Sequence, residues 1–137
     1  MAWALLDTNV YIGHWERSLY EAALIEVRRA FVIRHSAVVL SELRRGARTR
    51  EAQRVVGALF EHASVVWTPV NSDWWEAGRL ILKLGDGHSW DRNKRRDFQN
   101  DVLIALTARR HGATVVTANR KEFDLISREI GVSVLSV

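Results

Sequence analysis

Apolar residues along the chain gather in short runs that alternate with longer stretches of helical spacing. WALL (3–6) reads as a buried first strand and FVIRH (31–35) as a second. Between them, Leu19, Ala22, Ala23, Ile25 and Ala30 give residues 18–30 a helical pattern. The stretch AVVLSELRRG (37–46) suits either element, because Val38, Val39 and Leu40 also fit a strand. A helix is preferred: Ser36 is placed to cap it, Val39, Leu40, Leu43 and Ala47 follow helical spacing, and Gly46 loosens its end. Residues 50–61 predict a further helix and SVVW (64–67) a third strand. Ser72 then caps a helix running through Leu84, with Gly85 as its stop. The polar stretch GDGHSWDRNKRR (85–96) predicts a loop. Beyond it come a helix over 98–111, a strand at TVVT (114–117), a helix over 120–130 ending at Gly131, and a strand at VSVL (132–135).

Strands alternating with helices predict an α/β fold with a mainly parallel sheet. No repeat, linker or low-complexity tract interrupts residues 1–137, so a single domain is expected. In such sheets ligands collect beyond the carboxyl ends of the strands. Asp7 and Asn119 both fall just past strand ends, on that edge.

Composition narrows the function classes only slightly. The 137 residues are 47% hydrophobic and 26% charged, an ordinary globular balance. Cysteine is absent, which excludes disulfides and thiolate metal sites and favours a reducing, cytoplasmic setting. The opening MAWALLDTN lacks a basic leader region, and no apolar run approaches the roughly 18 residues that span a bilayer, so neither export nor a membrane partner is expected. A net charge of +4 and a pI near 10.1 lean towards a polyanionic partner.

The chemistry is carried by acids bordering apolar segments. Asp7 follows the first strand and Asp101 opens the apolar run VLIAL (102–106), and a carboxylate beside a core is costly unless something positive or hydrogen-bonding meets it. Singly, each acid has an ordinary role. Asp7 could cap a helix beginning near Thr8, Glu42 could face solvent, and Asp101 could complement a helix dipole. Asp97, four residues before Asp101, shares its face if the helix reaches that far. Glu122 and Asp124 follow the fourth strand. Taken together they form an ordered pattern: strand–Asp, helix–Glu, helix–Asp, then strand–Thr-x-Asn with an acid nearby.

That pattern resembles the PIN-domain family, and within it the VapC-type toxins of bacterial toxin–antitoxin modules. The resemblance rests on LLDTNVYI (5–12), SAVVLSELRRGA (36–47), NDVLIALTARRHGATVVTANRKEF (100–123) and the closing strand, in the family's order and spacing. It implies a three-layer α/β/α PIN-like domain with a central sheet of four to five strands. It also implies a metal-dependent ribonuclease with clustered acids, of which Asp7, Glu42 and Asp101 occupy the best-defined positions. Many relatives carry an Asp where this chain has Asn119, so Glu122, or less readily Asp124, is expected to supply the fourth carboxylate. An all-oxygen donor set suits Mg²⁺ or Mn²⁺, held by Asp7 and Asp101 with Glu42 direct or through water. Asn9, Thr117 and Asn119 are expected to position water, phosphate or the carboxylates. The resemblance further implies an RNA substrate, a cognate antitoxin and a homodimer. The alternatives are a non-catalytic or weakly catalytic PIN-like RNA-binding module, which Asn119 makes plausible, or an RNA-processing or DNA nuclease without an antitoxin.

Two basic groups flank these acids: Arg44, Arg45, Arg48, Arg50 and Arg54, then Arg92, Lys94, Arg95 and Arg96. Solvated faces explain most charge runs, yet their closeness to Glu42 and Asp101 predicts phosphate contacts for some, Arg45 among them. Of six tryptophans, Trp3 is expected in the core, while the adjacent Trp74 and Trp75 point about 100° apart on a helix and cannot be equally buried. One of that pair suits a dimer face or antitoxin groove. The five histidines show no ligand spacing and receive no role.

Overall fold

The computed structural model describes residues 1–137. Its elements run β1 (Ala2–Leu6), α1 (Thr8–Arg17), α2 (Glu21–Ala30), β2 (Phe31–Ser36), α3 (Ala37–Gly46), α4 (Arg50–His62), β3 (Val66–Trp67), α5 (Asn71–His88), α6 (Arg92–Arg110), β4 (Thr114–Thr117), α7 (Arg120–Ile130) and β5 (Ser133–Ser136). The strands form one sheet in the order β3-β2-β1-β4-β5, every pairing parallel. Ala4, Leu5 and Leu6 in β1, and Val115 and Val116 in β4, are all buried. Successive strand residues face opposite sides, so helices must cover both faces of the sheet centre. The expected α/β/α layering therefore holds, with five strands.

This order has one reversal. The chain builds outward from β1 through β2 to β3, then returns to the other side of β1 for β4 and β5. The carboxyl ends of β1 and β4 thus lie side by side at a switch point, where parallel sheets open a crevice.

Several sequence expectations need correction. The helical pattern over 18–30 is broken at its start: α1 ends at Arg17, and α2 begins only at Glu21. Ser18 and Tyr20 take left-handed backbone (φ 53° and 66°), and the Tyr20 ring folds over Gly13, where a Cβ would meet Tyr20 Cε2 at 2.6 Å. Ser72 does not cap α5; instead the Asp73 carboxylate reaches back to accept the Val70 N–H at 3.0 Å and is itself held by Arg110 at 3.2 Å.

The largest correction concerns residues 85–96, which are mostly helical. Gly85 does not stop α5, because a glycine there lets the Arg95 guanidinium lie against the helix: a Cβ would sit 2.7 Å from Arg95 Cζ. Arg95 donates from Nε to the Trp90 carbonyl at 3.0 Å and from its Nη2 to Asp86 at 3.1 Å. The turn shrinks to residues 89–91, with Ser89 left-handed at φ 55° and Asp91 capping α6 by accepting the Lys94 N–H at 2.8 Å. Sequence reading weighed a solvated face against phosphate contacts for these charges, whereas Arg95 and Asp86 fasten two helices together.

Smaller differences follow the same logic. The third strand is only Val66–Trp67, at the sheet edge. Trp3 is 38% exposed, set edge-on against Trp67 instead of within the core. Trp74 and Trp75 are both exposed, though unequally, as their angular separation requires. No helix is long and apolar enough to cross a membrane.

Candidate active site

The switch point gathers the predicted acids. Asp7 is the first residue after β1 and the N-cap of α1, its Oδ1 accepting the Thr8 N–H at 2.8 Å. Its own N–H continues the sheet by donating to the Val116 carbonyl of β4 at 2.8 Å. Buried beneath the crevice, its Oδ2 accepts the Thr117 hydroxyl at 2.8 Å. Thr117 in turn accepts the Asn119 N–H at 2.9 Å, and Asn9 Oδ1 accepts the Ala118 N–H at 3.1 Å. The ends of β1 and β4 are thus laced together by Asp7, Asn9, Thr117 and Asn119, residues expected to position the site.

Glu42 arrives from α3, whose buried stripe of Val39, Leu40 and Leu43 faces the core. Ser36 caps this helix as expected, accepting the Val39 N–H at 3.4 Å. Glu42 Oε1 accepts the Thr8 hydroxyl at 2.8 Å. Thr8, which sequence reading passed over, therefore ties the capped start of α1 to the second acid. A hydroxyl directly after the strand–Asp motif was the available signal.

Asp101 and Glu122 complete the cluster from α6 and α7. Asp101 is half-buried, and its carboxyl is pushed up to about 8, first by burial and then by the charges of Asp7, Glu42 and Glu122, with Lys94 opposing them. Asp7 is raised as well, again chiefly by burial, against the hydrogen bonds from Thr117 and Thr8 that lower it. Carboxyls that resist ionisation because they are buried beside other carboxyls mark a place where a cation is wanted. Glu122 Oε1 accepts from Lys94 Nζ at 2.8 Å, while its Oε2 is buried with no partner. Such an orphaned oxygen is costly unless a cation or donor reaches it.

The donor set fits a hard divalent ion: all oxygen, partly desolvated and mutually repelling. As folded, however, no three acids form a ready-made cage. Glu42 is tied to Thr8 and Glu122 to Lys94, each through one carboxylate oxygen.

The remaining candidates separate cleanly. Asp97 is exposed and pairs with Arg96 at 3.5 Å, and Asp124 pairs with Arg120 at 3.4 Å. Neither joins the cluster. Arg45 is exposed and without an acidic partner. Lys94 and Arg95 are committed to Glu122 and to the α5–α6 turn.

The Thr117 hydroxyl is the keystone of this lacing, since it serves two partners while wholly buried. Thr117→Val keeps the shape and removes both bonds. It should cost about 1–3 kcal/mol in urea denaturation, since two buried polar groups lose their partner. Asp7, without the bond that opposes burial, should shift further upward, a change readable by NMR titration.

Comparison with known proteins agrees with this geometry. In fold the chain is similar to VapBC2 from Rickettsia felis bound to a DNA fragment from their promoter (24% identity, 98% of each chain, TM-score 0.72). It is likewise similar to VapBC-1 from nontypeable Haemophilus influenzae (23% identity, 98% of this chain and 97% of that one, TM-score 0.71). FitAcB from Neisseria gonorrhoeae is a more distant likeness (21% identity, 97% and 96%, TM-score 0.65). No curated protein matches the chain. The PIN domain family model matches residues 4–129, a span that contains the end of β1, every acid of the cluster and the Thr117 lacing. With the acids brought together where the sheet order reverses, and the family's pattern extending across nearly all the sequence, this chain belongs to the PIN domain family.

Proposed function

We propose that the chain is a metal-dependent endoribonuclease acting as the toxin of a toxin–antitoxin pair. The observation that carries this reading is the convergence of Asp7, Glu42, Asp101 and Glu122 on one crevice, where burial first and then the neighbouring carboxylates push Asp101 up to about 8. Asp7 and Asp101 would hold a Mg²⁺ or Mn²⁺ ion, with Glu42 reaching it directly or through water. When bound, such an ion acidifies a water and stabilises charge at a scissile phosphate.

The chain's own residues do the rest. Thr8 and Thr117 fix the orientation of Glu42 and Asp7 before substrate arrives. Preset acids need less reorganisation when an ion and phosphate enter. Asn119, neutral and beside the acids, offers an amide to a phosphate or water without adding repulsion. The exposed arginines of α3 and α4, Arg45 among them, supply positive potential along the approach to Glu42.

RNA as substrate and an antitoxin as partner follow the resemblance to VapC-type toxins, supported by the similarity in fold to VapBC and FitAcB structures. A cytoplasmic setting fits both partners, and a homodimer fits the same resemblance. Inducible expression in a bacterium tests the reading. Wild type should arrest growth and create new RNA ends, and Asp7→Asn should do neither. Arrest by both proteins, or by neither, would overturn it.

A further inference from the structure

Lys94 is held in a way that surface lysines are not. Its backbone N–H is capped by Asp91, and its ammonium lies 5.3 Å from the Trp90 ring centroid and 5.7 Å from that of Phe98. From there Nζ donates to Glu122 Oε1 at 2.8 Å. Lys94, Phe98 and Asp101 are spaced i, i+4, i+7 on α6, so one helix face carries the ammonium towards the same cluster that Asp101 enters. Ordinary exposed ion pairs contribute little. This one differs, because Glu122 is only 14% exposed and its second oxygen is buried without a partner. An acid so placed needs positive charge, and the chain provides it covalently.

We propose that the Lys94 ammonium is a resident cation of the acidic cluster, occupying the place beside Glu122 that a second divalent ion would need. The chain consequently takes one divalent ion, not two. This rests on the nuclease reading above, since it presumes that the first ion is held by Asp7 and Asp101. Three consequences follow from the geometry. Glu122 acts as the anchor of Lys94 and is not itself a ligand of the ion. Lys94 has three N–H donors and commits one to Glu122, which leaves capacity for a phosphate oxygen. The cleft beside the pair, about 470 Å³, sets Lys121 and Arg128 with Lys94 against the acids Glu122 and Asp124, so cations outnumber acids along the wall that a phosphate-bearing strand would meet.

Counting bound Mn²⁺ by calorimetry and by electron paramagnetic resonance tests the proposal without reference to cleavage. Wild type should bind one Mn²⁺ per chain. Lys94→Met should bind a second, and its first Mn²⁺ about tenfold more tightly, because a fixed positive charge near the ion is gone. Lys94→Arg should behave as wild type, and Lys94→Met with Glu122→Gln should return to a single ion. Lys94→Gln replaces the Met variant should that one fold poorly. One Mn²⁺ at wild-type affinity in both neutral variants, or two in wild type, would overturn the proposal. The nuclease reading fails by a different sign: Mn²⁺ binding that ignores Asp7→Asn.

Discussion

Asp101→Asn should reduce metal-dependent RNA cleavage by at least about 10²-fold while making the metal-free protein more stable. The two effects have one cause. Asp101 is pushed from an ordinary 3.8 up to about 8 by burial and by Asp7, Glu42 and Glu122. Below pH 3.8 the carboxyl is protonated in both folded and unfolded chains and makes no difference. Between pH 3.8 and about 8 the unfolded chain releases the proton readily while the folded chain holds it, so stability falls as pH rises through that window. At neutral pH the native protein therefore carries a penalty that an amide removes. Asp101 keeps some contact with water, so the gain is discounted from the full shift to about 1–3 kcal/mol. Urea melts of the metal-free proteins at pH 4.5 and pH 7.5 check it: wild type should weaken at the higher pH, and the variant should weaken less. Mg²⁺ should stabilise wild type, since a ligand that binds only the folded state adds stability, and leave the variant almost unmoved. A variant less stable than wild type at pH 7.5, or one that cleaves RNA normally, would refute the assignment.

Asp7 shows why an acid's identity was easier to read than its surroundings. Its place after WALL was plain from the sequence, and the helix-capping role weighed there is one it fills, since it caps α1 while also bordering the acid cluster. That Thr117, 110 positions later, would donate to it depended on β4 lying beside β1, which no local pattern reveals. The strands and most helices were legible because apolar spacing is a local property. The stretch 85–96 was misread because Asp86, Asp91, Lys94 and Arg95 bond within the stretch and to α7. Lys94 reaches Glu122 across 28 positions, and Arg95 reaches back to Asp86 and the Trp90 carbonyl. Charge without apolar periodicity predicts a loop only when the charges lack partners. Here the partners were distant in sequence or hidden by a glycine that looked like a stop.

Phe98→Ala should destabilise the protein by about 3–5 kcal/mol, a large share of the 5–15 kcal/mol typical of a folded domain. Phe98 is 1% exposed and packs against Trp90, with ring centroids 4.6 Å apart and planes inclined at 59°. Truncation removes a full aromatic side chain and leaves a cavity that α6 cannot collapse, because the Asp91 cap and the Arg95 bonds fix it on one side and α5 and α7 pack against it on others. Thermal melting should fall by roughly 10–20 °C. By contrast Trp75→Ala, at a position 86% exposed, should stay within about 0.5 kcal/mol of wild type despite deleting a larger ring. Phe98→Leu, which retains most of the volume, should lie between the two. The functional consequence separates packing from chemistry. Phe98 underlies Lys94, so Phe98→Leu should loosen the ammonium from Glu122 while leaving Asp7 and Asp101 in place. Mn²⁺ titration of that variant should move towards the behaviour of Lys94→Met even at temperatures where both proteins are fully folded. A folded Phe98→Leu protein with wild-type Mn²⁺ binding would mean that the ring serves stability alone.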